Sequence, residues 1–336
     1  MNGTPVTADD VAKRLGLSRW TVARAFRNDA SISDSSKRRV LETAKELGYV
    51  PDLSASSLAS SRSNLVALLI DDFENPHKLL MLEVLTKALQ ENGWDVLLVN
   101  TPTEAHAPRA LLAARQRRVD AAVLIGMHFA EAEIAAVLGA SRMKKVIVFA
   151  RASESPDAIS ICCDDTSAMS AMTDHILGRG YGKPIFVAGP ATISTKLLRA
   201  ETFVARWDEA RGSKPTVLRV PKYSPISAYQ LLLGHLAGLS ADQLPDVLVC
   251  ENDALAIGAI DAVRGLGLRV PKDIAVTGFD DVSLAAMPSY DLTTYRQPLE
   301  AMVDALVSAL QGKAEAGMRA PLLGELVVRG STSRSS

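Results

Sequence analysis

The spacing of apolar residues changes along the chain. From Thr7 to Leu47 they recur every three or four positions, the period of helices that bury one face. In TADDVAKRLGLSRWTVARAF, residues 7–26, Val11, Ala12 and Leu15 share such a face. Thr7 is a good N-cap there, with Asp9 and Asp10 in a first turn where the helix dipole favours acids. This predicts a helix over Ala8–Leu15. Gly16 permits a turn, and Ser18 caps a second helix over Arg19–Arg27 with Val22 and Phe26 pointing back to the first. A third helix is expected over about 34–47, with Val40, Leu41, Ala44 and Leu47 inward, Gly48 ending it and Pro51 just beyond.

From Leu65 the pattern becomes one of short continuous apolar runs: LVALLI, DVLLVN, AAVLIG, KVIVFA, AISICC, PIFVAG, TVLRV, DVLVC and DIAVTG. Amphipathic stretches of helical length separate them. Strand–helix alternation with continuously apolar strands means parallel sheets covered on both faces. Nine strands are too many for one tidy doubly wound sheet. Two sheets in two lobes are expected, with the break near Ser160.

Composition adds bounds. A chain of 336 residues suits two or three compact units, and 48% apolar with 22% charged residues is globular. The net charge of −1 excludes a protein that coats nucleic acid over its whole surface, but Met1–Arg62 carries ten Lys/Arg against seven Asp/Glu. A basic head on an acidic body fits a local nucleic-acid contact. The three cysteines have no zinc spacing and suggest no disulfide framework, so no metal or cofactor is expected. MNGTPVTADD is not a signal peptide, and no apolar run is long enough for a bilayer, so a cytoplasmic protein, nucleoid-associated at its DNA sites, is expected.

On the second predicted helix Arg19, Trp20, Thr21 and Arg24 lie on or near the exposed N-terminal face. As a recognition helix, these residues would reach base edges in a major groove, where the arginine fork suits guanine. The alternative is a helical hairpin with a solvated polar face. An exposed Trp tilts the choice towards binding. Beyond Pro51, VPDLSASSLASSRSN reads either as a flexible Ser-rich linker or as a short helix over Leu53–Ser60 that folds on DNA, with Leu58 wedged into the minor groove.

In the body, candidate chemistry gathers at the strand ends, where ligands bind in such folds. Asp71, Asp72 and Phe73 follow the first strand. Arg151 follows the fourth, Asp164 and Asp165 the fifth, Asn252 and Asp253 the eighth, and Asp280 and Asp281 the ninth. Carboxylates, amides and an arginine around a cleft suit a polyhydroxy ligand, and Phe73 and Tyr223 could cover the apolar face of a ring. Acids at strand ends also cap helices; Asp165 and Asp253 are assigned that role, and Asp281 is divided between the two. Nothing suggests an enzyme. The five histidines fall in no GxSxG, HExxH or Walker pattern, and Cys163 closes an apolar strand without an evident base.

Residues 6–60 resemble the DNA-binding head of the lac repressor (LacI/GalR) family, through VTADDVAKRLGLSRWTVARAF, ISDSSKRRVLETAKELGYVP and the hinge up to SLAS. RRVDAAVLIG, CDDTSAMSAMTDHILGRGY, VLVCENDALAIGAIDAVRGLGLRVPKDIAVTGFDD, LTTYRQPLEAM and ELVVRGST extend the resemblance to the family's periplasmic-binding-protein-like effector domain, over essentially the full length. It implies a helix-turn-helix head over 1–50, a hinge over 51–63 and a two-lobed α/β effector-binding and dimerisation domain over 64–336. It assigns DNA contacts to Thr7, Ser18, Arg19, Trp20, Thr21, Arg24, Arg27, Ser33, Lys37, Ala55 and Leu58. Effector contacts fall to Asp72, Phe73, Arg151, Arg199, Tyr223, Asn252, Asp280 and Gln297. Asp52 and Ser56 depart from the usual hinge, and Arg27 stands where Asn is common. In the body His77 replaces a common aromatic, Ala150 the usual Asp and Thr202 a usual Gly.

The resemblance implies a homodimer on a near-palindromic double-stranded operator, a repressor whose DNA affinity a sugar-like small molecule controls. Family readings with a purine or nucleoside effector, or with a phosphoprotein co-regulator, stand beside it. So do two rivals of other classes, a secreted sugar-binding protein and a sugar-handling enzyme.

Overall fold

The computed structural model describes residues 6–26, 32–51, 62–130, 132, 134–135, 145–191, 197–314 and 319–333. The chain divides into two compact units, Met1–Asn64 and Leu65–Ser336.

In the first unit α1 (Ala8–Leu15), α2 (Arg19–Ala25) and α3 (Asp34–Leu47) enclose Val11, Ala12, Val22, Ala25, Val40 and Ala44. The Asp10 carboxylate accepts from both the Thr7 amide and the Thr7 hydroxyl. Ser18 Oγ accepts the Thr21 amide at 3.1 Å, and Ser33 Oγ that of Ser36. Gly16 and Gly48 take the left-handed conformation that ends α1 and α3. Two expectations need correction. The second helix ends at Ala25, two residues early, although Phe26 packs on the core shared with α1 as expected and also meets Tyr49 edge-on. Leu41 is exposed, and Thr43 takes an inward place on α3 instead.

The second unit holds two parallel sheets. The first has the order β11-β5-β4-β3-β1-β2, from β1 (Leu65–Ile70), β2 (Asp95–Asn100), β3 (Ala121–Ile125), β4 (Lys145–Phe149), β5 (Ile159–Cys163) and β11 (Arg319–Leu322). Helices α4 (Pro76–Glu91) and α10 (Leu299–Leu310) cover one face, and α5 (Ala107–Gln116) the other. The second has the order β7-β6-β8-β9, from β6 (Pro184–Ala188), β7 (Thr216–Arg219), β8 (Val247–Cys250) and β9 (Ala275–Thr277). On one of its faces lie α8 (Pro225–Ala237) and α9 (Asp253–Gly265), on the other α6 (Asp165–Gly178) and α7 (Arg199–Arg211). An antiparallel pair, β10 (Thr294–Arg296) with β12 (Glu325–Val327), completes the unit.

All nine apolar runs form strands. The lobe break falls just beyond Ser160. That residue sits inside β5, paired with Val148 and Arg319, and the chain leaves the first sheet only after Cys163. Strand β11 returns to flank β5, so the first lobe is built from two separated stretches of chain.

Candidate functional site

The carboxyl ends of strands from both sheets meet at a pocket lined by Asn75, His77, Lys78 and Met81 after β1, and by Gly126 and Met127 after β3. Ala150 and Arg151 follow β4, and the second lobe adds Arg199, Tyr223, Asn252 and Asp280, with Gln297 after β10. A wider chamber of about 460 Å³ adjoins it, sharing Lys78, Met127 and Tyr223 and reaching Asp71, Asp72, Phe73, Glu104, His128 and Lys222.

Arg199, at the start of α7, is buried. Its Nε donates to Asp165 Oδ1 at 2.9 Å, its Nη1 to the Glu251 carbonyl at 3.0 Å, and its guanidinium lies 3.5 Å over the Phe279 ring. Burial opposes its charge, but the Asp165 and Asp280 carboxylates outweigh this and hold its pKa above the ordinary range. Asp280, at a left-handed φ of 114°, accepts from Gln297 Nε2 at 2.7 Å, and Gln297 also meets His77 at 3.0 Å. The Tyr223 hydroxyl donates to Glu251 Oε2 at 3.0 Å, and that oxygen also takes the Gly189 amide. Gly189 is required there because a Cβ would stand 2.0 Å from the Tyr223 ring. Burial pushes the Glu251 carboxyl up, and pushes the Tyr223 hydroxyl well up.

Of the effector residues expected from the sequence, Arg151, Arg199, Tyr223, Asn252, Asp280 and Gln297 line the inner pocket. Asp72 and Phe73 do not; they line the outer chamber, and Asp72 accepts the Glu74 amide. The buried acid of that pair is Asp71, which takes Lys78 Nζ and, at 2.5 Å, the Met127 amide. Arg151 turns Nε to the Gly126 carbonyl at 2.6 Å and Nη2 to that of Phe129, contacts that brace the lobe.

The expected caps are displaced by one residue. Asp164, not Asp165, caps α6 by accepting the Ser167 amide, which leaves Asp165 to pair with Arg199. Asn252, not Asp253, caps α9 through the Leu255 amide. Asp253 is buried, accepting Thr294 Oγ1 at 2.6 Å and the Val282 amide at 2.8 Å. Asp281 is drawn away by Arg296 and Arg329. Burial raises the Cys163 thiol to about 12, so it is inert as a nucleophile. Glu251 was missed, although an acid directly closing the run VLVC is a legible signal.

On the head, Trp20 is 66% exposed and the Arg24 guanidinium stacks 4.3 Å from its ring centre. Arg19 is exposed and lies 3.8 Å from Asp9, while Ser18 and Thr21 share a hydroxyl–hydroxyl bond of 2.8 Å. Thr7 and Ser33 are exposed at their helix starts, and Lys37 is half-buried. Arg27, Ala55 and Leu58 lie outside the described residues. No helix among the described residues is long and apolar enough to cross a membrane.

Residues 7–52 match the family model for bacterial regulatory proteins of the lacI family, and 173–332 that for a periplasmic binding protein-like domain. The chain is 32% identical over 339 residues to the HTH-type transcriptional regulator MalR of Streptomyces coelicolor, covering 96% of each. It is 29% identical to the sucrose operon repressor of Escherichia coli, covering 96% of this chain and 98% of that one. A crystal structure of the Lac repressor bound to ONPG superposes with a TM-score of 0.83 at 23% identity, over 98% of this chain and 100% of that one. The chain therefore belongs to the lacI family of bacterial regulatory proteins, and it is a DNA-binding regulator of transcription rather than an enzyme.

Proposed function

We propose that a small polyhydroxy molecule of the sugar class binds between the two lobes and controls how tightly this regulator holds its operator. The observation that carries this is the buried set Arg199, Asn252, Asp280 and Gln297 at the strand ends. Hydroxyls need a donor and an acceptor at each position, and charged partners strengthen both. Tyr223, held by Glu251, offers a ring face. The name of one relative, the sucrose operon repressor, favours the same class, though Ala150 leaves out a carboxylate that would bind a diol.

Two chains would pair through their bodies and set their heads in successive major grooves of a near-palindromic operator. Arg19, Trp20 and Arg24 would read bases, with Thr7, Ser18, Thr21, Arg27, Ser33 and Lys37 holding the backbone. Ala55 and Leu58 of the hinge would enter the minor groove and kink it. Control requires that the effector bind the free and DNA-bound forms unequally.

The test is a thermal-shift screen of sugars, polyols and nucleosides on the full-length chain, with operator affinity measured with and without each binder. A specific ligand at about a hundred times its Kd adds about 2.7 kcal/mol of stability. Stabilisation by nucleosides alone would replace the sugar class. An operator response that survives loss of Arg199 and Asp280 would point to a protein co-regulator.

A further inference from the structure

His77 opens α4 in the first lobe, Asp280 follows β9 in the second, and Gln297 stands between them on the crossover after β10. The three are 3%, 6% and 5% exposed. Gln297 Nε2 lies 2.7 Å from Asp280 Oδ1 and 3.0 Å from His77 Nε2. Asp280 decides which way round the amide sits, because Oε1 in that place would face the carboxylate lone pairs. Both amide N–H bonds are then spent, one on Asp280 and one on His77 Nε2. A neutral imidazole accepting at Nε2 carries its proton on Nδ1. Burial keeps His77 neutral by lowering its pKa, against the pull of Asp280.

Among the described residues four buried side-chain atoms have no partner, and two of them, His77 Nδ1 and Gln297 Oε1, belong to this trio. Such groups are costly when left unpaired, and folded proteins seldom keep them. One is a donor and the other an acceptor. They sit on joined side chains that both line the inner pocket.

We propose that His77 sets the effector specificity of the inner pocket: its Nδ1–H donates to one hydroxyl of the effector, while the Gln297 Oε1 accepts from another. This rests on the sugar-class reading of the cleft. The first hydroxyl accepts from the imidazole and the second donates to the amide oxygen. A methylene in the first place leaves Nδ1–H unpaired, and an ether oxygen in the second has no proton for Oε1.

The test uses the full-length protein. Its melting temperature is measured with D-glucose, D-galactose, maltose, sucrose, cellobiose and myo-inositol, and the best binder is titrated by calorimetry beside its set of monodeoxy analogues. In the wild type one deoxy position should weaken binding about tenfold or more. In His77→Phe the parent and that analogue should bind within about twofold of each other. His77→Asn, whose side-chain amide stands where Nδ1–H stood, should restore the discrimination. Equal discrimination by the wild type and His77→Phe overturns the proposal and leaves the sugar reading intact. A panel that leaves the melting temperature unchanged overturns both. If His77→Phe does not melt cooperatively, His77→Gln decides instead: it keeps an acceptor for Gln297 but no Nδ1–H, and retained discrimination there overturns the proposal.

Discussion

At the scale of single residues, the cleft shows how little separates a cap from a ligand-facing group. Asp164 and Asp165 are adjacent acids at the start of one helix. One holds a backbone amide and the other a buried arginine, and only the direction in which α6 leaves β5 separates them. Glu251 is the plainest case of a residue whose surroundings set its chemistry. Burial raises its pKa, so the folded state holds its proton more tightly than the unfolded chain does. Its contribution to stability is then greatest at acidic pH and is lost as pH rises above the ordinary glutamate value of 4.5. Glu251→Gln keeps an acceptor for Tyr223 and removes the titration. Its melting temperature should match that of the wild type at the acid end and exceed it increasingly towards neutral pH. On the head, Arg24 is held against Trp20. Arg24→Ala should cost about 1–3 kcal/mol of operator affinity while leaving binding to unrelated duplex nearly unchanged. Competition gel-shift measurements with both duplexes would show this, and unchanged operator affinity would refute base readout by Arg24.

Among elements, the long apolar runs were legible because a strand covered on both faces must be apolar on both. Strand β11 was not. RAPL, which forms β11, contains an arginine and a proline, and nothing in four such residues marks a strand. It pairs because α10 delivers it to the open edge of β5. Helix starts were legible through Thr7 and Ser18, where local hydrogen bonding suffices. Caps at the strand–helix junctions of the body slipped by one, because burial there competes for the same acids. A comparison of two variants tests this assignment. Asp164→Ala should cost about 1 kcal/mol, the loss of a cap. Asp165→Ala should cost about 3 kcal/mol or more, because a buried guanidinium loses its carboxylate. Urea unfolding of both measures the order, and equal losses would contradict it.

For the whole molecule, control of DNA requires the hinge to answer to the cleft. The residue that tests the DNA side of that coupling is Leu58. Leu58→Ser should reduce operator bending, measured by circular-permutation gel mobility, while effector binding by calorimetry stays the same. Bending that persists would exclude a leucine wedge. Three features could be read from the chain alone: a basic three-helix head, a two-sheet parallel body and an acid-rich set of strand ends. Each depends on periodicity, local capping or composition, and these act over a few neighbouring residues. Which acids face the cleft, that Arg151 braces backbone carbonyls, that Glu251 holds Tyr223, and that His77 meets Gln297 across 220 positions of sequence all came from the folded arrangement. Those contacts join strand ends from two lobes, and their partners are chosen by sheet order and by the return of the chain, which no local pattern encodes.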